Sequence, residues 1–199
     1  MKEKKTYFDV YELGTIALFA LGSALLNTYL PIKAFTQWLG IPGPAAGMAL
    51  LGGFIFVFWV ALAQAIIRKR YAGIVTALLT ASFCLLIAPW YGIVSPIWFG
   101  VYAIVALLSM GIFVELTASE SSKSKFRSVT GGGLGNVACL GITWVAIGVH
   151  AGAWAPPKYV PILILAAFVS GCVGSLMAYW VTKTFLQAKS FTKNLLLFS

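Results

Sequence analysis

Acid–base chemistry in this chain rests on five carboxylates and one imidazole. The acids are Glu3, Asp9, Glu12, Glu115 and Glu120, and the only histidine is His150. General acid–base or nucleophilic catalysis needs two or three such groups within hydrogen-bond reach of one reacting atom. Here the acids lie on or near the side of the basic stretches, with Glu115 at the inner end of an apolar run, whereas His150 closes another apolar run at its far end. No catalytic residue is expected, and an enzyme is excluded as the leading reading. Cys84, Cys139 and Cys172 are isolated within apolar runs, with no C-x-x-C or Cys/His spacing. They are expected to be small buried hydrophobes, neither a disulfide framework nor a metal site. Gly131-Gly-Gly-Leu-Gly135 lacks the Lys-Ser/Thr ending and the preceding strand of a phosphate loop. The chain therefore carries no cofactor of its own, and any use of ATP must come from other subunits.

Aromatic and amide groups are the chemistry that remains. Trp38, Trp90, Tyr91 and Trp154 fall in Pro/Gly-rich connections that contain no acid, and Trp98 and His150 lie at adjoining ends of apolar runs. Asn27 is within a turn of the first such connection. Uncharged polar groups beside aromatic faces suit a flat heterocycle held by stacking and a few hydrogen bonds. Asn27, Trp38, Trp90, Tyr91, Trp98, His150 and Trp154 are accordingly the candidate substrate-binding residues. The competing assignment for each tryptophan is an anchor at a membrane interface, and for His150 an interfacial hydrogen-bonder.

These groups must be positioned by elements that composition identifies. The chain of 199 residues is 60% hydrophobic and 10% charged, and its mean hydropathy is +0.93. Soluble domains carry about 25% charged residues, so a membrane protein is expected. Six apolar segments approach the roughly 20 residues that a bilayer crossing needs, at 14–30, 45–67, 72–88, 96–116, 131–150 and 159–185. The expected fold is all-α, a single six-helix transmembrane domain over 1–199. Twelve of the fourteen Lys and Arg fall in alternate gaps: Lys2, Lys4 and Lys5; Arg68, Lys69 and Arg70; Lys123, Lys125 and Arg127; Lys183, Lys189 and Lys193. The other connections hold only Lys33 and Lys158. That alternation is a positive-inside pattern and places both termini in the cytoplasm, in a multi-pass protein of the cell membrane. The connections 31–44, 89–95 and 151–158 are then external, and 117–130 is an ordinary solvated inner loop. The net charge of +9 is better matched to anionic lipid headgroups than to nucleic acid, because it flanks the spans instead of covering one face of a domain.

Small residues recur at helical spacing. Gly14, Ala17, Ala20, Ala24 and Asn27 share a stripe on the first helix, and Ala167, Gly171 and Ser175 share one on the sixth. Small residues let helix backbones approach where lipid supplies no hydrophobic drive. Such stripes serve either packing within the bundle or docking of a second membrane protein.

With these features the chain resembles the substrate-binding S component of an energy-coupling-factor (ECF) vitamin transporter. The resemblance rests on size, six spans, cytoplasmic termini, the Ala20-xxx-Ala24 motif and the long first external connection. Gly52-Gly-Phe-Ile-Phe-Val-Phe-Trp59, Arg68-Lys-Arg70 and Ala72-Gly-Ile-Val-Thr76 are similar to the S components for thiamine and its hydroxymethylpyrimidine precursor. The missing external acid fits a neutral pyrimidine better than cationic thiamine. The resemblance implies capture of a vitamin from outside and docking, through Ala17, Ala20 and Ala24, on a transmembrane coupling subunit that carries two ATPases. Toppling of the bundle would then deliver the ligand inward. Two rival readings stand beside it: a small structural or assembly subunit with no ligand of its own, and a stand-alone carrier or channel. A coupled carrier usually keeps a carboxylate in mid-membrane, and none is expected here.

Overall fold

Helix α1 (Val10–Tyr29) begins at a reciprocal cap, in which the Asp9 side chain and Glu12 each serve the other's backbone. The backbone N–H of Asp9 donates to Glu12 Oε2 at 2.8 Å, leaving fewer open donors at the helix start. Then follow α2 (Ile32–Trp38), α3 (Gly43–Gly52), a π turn (Gly53–Val57) and α4 (Phe58–Ile67). The chain continues through α5 (Ala72–Leu86), α6 (Val101–Ser119), α7 (Lys125–Ala151), a short 3₁₀ turn (Pro157–Tyr159) and α8 (Val160–Leu196). This computed structural model describes residues 7–38, 43–89, 91–94, 100–119, 125–152, 154 and 157–196, and no strand occurs among them.

Four helices are long and apolar enough to cross a membrane: Val10–Tyr29, Ala45–Ile67, Lys125–His150 and Pro157–Leu186. They coincide with the first, second, fifth and sixth expected spans. The third and fourth correspond to shorter apolar helices, Ala72–Leu86 and Val101–Thr117. At 1.5 Å per residue these reach about 22 and 26 Å, against about 30 Å of hydrocarbon.

Three boundaries differ from expectation. The connection 31–44 contains α2, which lays the buried Ile32 beside Gly47 of α3 and is too short to register as an apolar run. The connection 117–130 is mostly helical, because α6 runs on to Ser119 and α7 starts at Lys125. Charged and hydroxyl side chains there can continue a helix once its apolar part is anchored in the bundle. Helix α8 likewise continues past residue 185, and its 37 residues extend about 55 Å.

The chain from α3 to α4 lies at the centre, against α1, α5, α7 and α8. Its residues are almost all apolar, as suits a helix buried over much of its surface. Ile55, Phe56, Val57 and Val60 are fully buried there, and Leu107, Met110, Leu140 and Ala167 close the core from α6, α7 and α8. A Cβ on Gly53 would overlap the Ser170 carbonyl, and one on Gly171 would overlap the Gly132 carbonyl. The central helix, α7 and α8 therefore meet backbone to backbone. The small-residue stripe of α8 packs within the bundle.

Candidate functional site

The two ends of the bundle differ in chemistry. At one end Lys69 Nζ reaches Glu12 Oε2 at 2.7 Å and the Tyr7 carbonyl at 3.1 Å, joining the start of α1 to the turn between α4 and α5. Lys125 lies over the Tyr179 ring at 4.9 Å, joining the start of α7 to the second half of α8. Arg68, Lys69, Arg70, Lys125, Arg127 and Lys183 all lie toward this end, as do both ends of the described chain. Among the described residues, the opposite end carries Trp38, Tyr91, His150 and Trp154, with Lys158 as a basic side chain.

Glu115 holds the basic end together. This acid is 4% exposed, and its Oε1 accepts from the Tyr71 N–H at 2.9 Å and from Gln64 Nε2 at 3.2 Å. Its Oε2 accepts from the Gly73 N–H at 3.0 Å, and Gly73 also donates to Gln64 Oε1 at 2.9 Å. A carboxylate is favourable at the N-terminus of α5, where unpaired N–H groups gather. Arg68 and Tyr71 take positive φ values of 55° and 72° in the intervening turn. That geometry disfavours residues with a Cβ, and the Glu115 bond to Tyr71 helps to hold it.

At the other end Asn27 has an equivalent task. Its Oδ1 accepts from the N–H groups of Ile93 and Val94 at 2.9 and 3.0 Å, and its Nδ2 donates to the Val94 carbonyl at 3.1 Å. The Tyr91 N–H donates to the Thr28 carbonyl at 3.2 Å. A Cβ at position 92 would overlap the Asn27 backbone carbonyl, so the close approach admits only glycine. The segment 91–94 is thereby pinned onto the end of α1, and Tyr91 is presented to the exterior.

The seven expected ligand residues are thus distributed unequally. Asn27 is fully buried and its amide is occupied by the clamp, so it positions the site and is not an open contact. Trp38 and Trp154 are 81% and 64% exposed, at the same end as Tyr91. The Trp154 ring covers Gly148, and the exposed His150 meets Tyr102 edge to face at 5.1 Å. Trp90 and Trp98 lie outside the described residues. Beside His150, an apolar groove of about 370 Å³ runs between α6 and α7, lined by Val101, Tyr102, Val105, Gly141, Ile142 and Val145. The docking residues lie elsewhere than on a free surface. Ala20 and Ala24 are fully buried, and only Ala17 is half-exposed. Their small size brings α1 against α4 and α5, which is the packing alternative for that stripe.

A third polar group, unexpected from the sequence, surrounds the π turn. A π turn disturbs the regular backbone bonding of a helix, and neighbouring helices supply partners here. Ser23 Oγ donates to the Ile55 carbonyl at 2.6 Å, and Ser170 Oγ donates to the Leu50 carbonyl at 2.9 Å while accepting from the Gly53 N–H at 3.0 Å. Asn136 Nδ2 donates to the Ala167 carbonyl at 2.8 Å and the Met48 carbonyl at 3.4 Å. Asn136 Oδ1 and Ser175 Oγ have no partner, although both are buried. Such an unpaired group costs about 1–3 kcal/mol. In the sequence Asn136 is only one amide inside an apolar run, immediately after Gly131-Gly-Gly-Leu-Gly135. Among the described residues no group of three or more His, Cys, Asp or Glu could hold a metal ion.

Comparison of this chain with protein-family models, with curated proteins and with solved structures finds no match.

Proposed function

We propose that the chain is the membrane-embedded substrate-binding subunit of an ECF-type importer. It captures a small, neutral heterocyclic vitamin or precursor from outside, with hydroxymethylpyrimidine favoured over thiamine. On this reading all six long helical segments cross the bilayer, with α5 and α6 as short crossings completed by the chain at their ends. Both termini are cytoplasmic, and a coupling subunit with two ATPases supplies the energy. The observation that carries the reading is the polarity of the bundle. Basic side chains gather at one end, while the other carries Tyr91, on a segment pinned by Asn27, together with the exposed Trp38, His150 and Trp154. Positive charge favours the cytoplasmic leaflet, and exposed uncharged aromatics suit a neutral ring arriving from the other side. Docking on the coupling subunit uses the exposed side of the bundle, because Ala20 and Ala24 face inward.

A second reading, a small assembly subunit without a ligand, draws on one observation. The buried amide of Asn27 is already engaged within the chain, and Trp38 and Trp154 lie on the outside as interface anchors would. Titration of the purified protein with thiamine, hydroxymethylpyrimidine, riboflavin and biotin, read by tryptophan fluorescence, separates the two. Saturable quenching by one pyrimidine at submicromolar concentration is expected of the importer subunit. A flat response to the whole panel contradicts it and leaves the assembly reading.

A further inference from the structure

We propose that Asn136 Oδ1 is the acceptor of a substrate subsite now filled by the Met48 side chain, which takes an N–H or amino donor on a neutral planar ring. This deepens, and rests on, the importer reading above.

Three observations converge on one place beside Gly52. The Asn136 amide is fully buried, and its orientation is set because Nδ2 donates to two carbonyls, of Ala167 and Met48. The oxygen is thereby directed away from both, and it has no partner. A Cβ placed on Gly52 would lie 2.5 Å from Asn136 Oδ1, 2.8 Å from Met48 Cε and 3.0 Å from Met48 Sδ. The free acceptor and the end of the Met48 thioether thus press on the same side of Gly52, in a volume that the Met48 side chain now fills.

The chemistry of that volume selects its occupant. Met48 Sδ lies 3.9 Å from Cys139 Sγ, and Leu140 and Ala49 are buried nearby on the same two helices. A bare cation requires several hard oxygen ligands, whereas this place offers one amide oxygen among thioether, thiol and aliphatic groups. A neutral N–H donor satisfies that oxygen, and a flat ring suits apolar walls. Methionine is unbranched and has three rotatable bonds, so it can leave a cavity with little disturbance of the backbone. Met48 lies in the second turn of α3, which enters the bundle from the aromatic end. The adjoining π turn is a further sign, since such turns recur at functional sites.

Isothermal titration of the purified full chain with two probes tests the assignment. One is 4-amino-5-hydroxymethyl-2-methylpyrimidine, and the other is the same ring with hydrogen in place of the amino group. The wild-type protein should bind the amino compound more tightly by about tenfold or more, because the second probe leaves the buried acceptor unpaired. Asn136→Leu should reduce that preference to less than about twofold. Met48→Ala leaves the acceptor in place, so it should keep the preference and bind both probes more tightly than wild type. If Asn136→Leu does not fold, the two probes on wild type and Met48→Ala still decide the matter. Equal binding of both probes by wild type overturns the subsite and leaves the free oxygen to an internal water. Loss of the preference in Met48→Ala overturns it as well. Binding of neither probe by wild type removes the importer reading itself, a different failure from equal binding of both.

Discussion

Asn27 shows how one amide can settle the shape of a helix end. Its oxygen takes two successive backbone N–H groups of the segment 91–94 and its nitrogen returns a bond to the same segment. Replacement by alanine leaves both of those donors buried and unpaired. Asn27→Ala is expected to lower stability by about 2 kcal/mol, measured by denaturant unfolding in detergent micelles. A change below about 0.5 kcal/mol, within the range of an unremarkable surface substitution, would contradict the clamp. In the sequence Asn27 stands out only as a candidate ligand contact, an amide near the end of an apolar run. Its role as a clamp was not legible, since the partners lie 66 and 67 positions away, beyond any local periodicity. Glu115 was equally visible as an acid at the edge of a span. That it caps α5 instead of standing in solvent depends on where α6 ends relative to the turn at Arg68–Tyr71, which a single sequence does not state.

Among the elements, the central helix from α3 to α4 is the most demanding. Its π turn bonds to Ser23 and Ser170, the α3 turn before it bonds to Asn136, and Gly53 allows α8 to touch its backbone. The apolar run was plain in the sequence, whereas the π turn was not, because it changes the hydrogen bonding without changing the hydrophobicity. Gly53→Ala should therefore prevent stable folding, since the added methyl would overlap the Ser170 carbonyl, and neither is the flexible end of a side chain. Gly14→Ala is the control: a Cβ there meets nothing within 4 Å, and the exchange should stabilise the helix by about 0.5–1 kcal/mol. Thermal unfolding of the two variants side by side checks this, and equal effects would contradict the close approach. The stripe Ala17-Ala20-Ala24 illustrates the opposite lesson. Ala20 and Ala24 are buried within the bundle, and small-xxx-small looks the same whether the partner is another chain or the next helix of the same chain.

At the scale of the molecule, charge and hydropathy carry most of the architecture. Among the described residues the apolar runs fall on the six long helices, and Arg68, Lys69, Arg70, Lys125, Arg127 and Lys183 lie toward one end. Length was the weaker guide, because α5 and α6 are short and α7 and α8 overrun the bilayer thickness. The site was less legible than the fold: the aromatics at the uncharged end were visible one by one, while the buried seam at Asn136 arises only when α3, α7 and α8 are brought together. The central claim is that the uncharged, aromatic end faces outward and receives a pyrimidine. Equilibrium binding of radiolabelled hydroxymethylpyrimidine to sealed vesicles of known sidedness tests it most directly. Saturable, submicromolar binding to right-side-out vesicles, absent from sealed inside-out ones, is the result this account predicts. Binding only from the basic end, or none from either side, would contradict it.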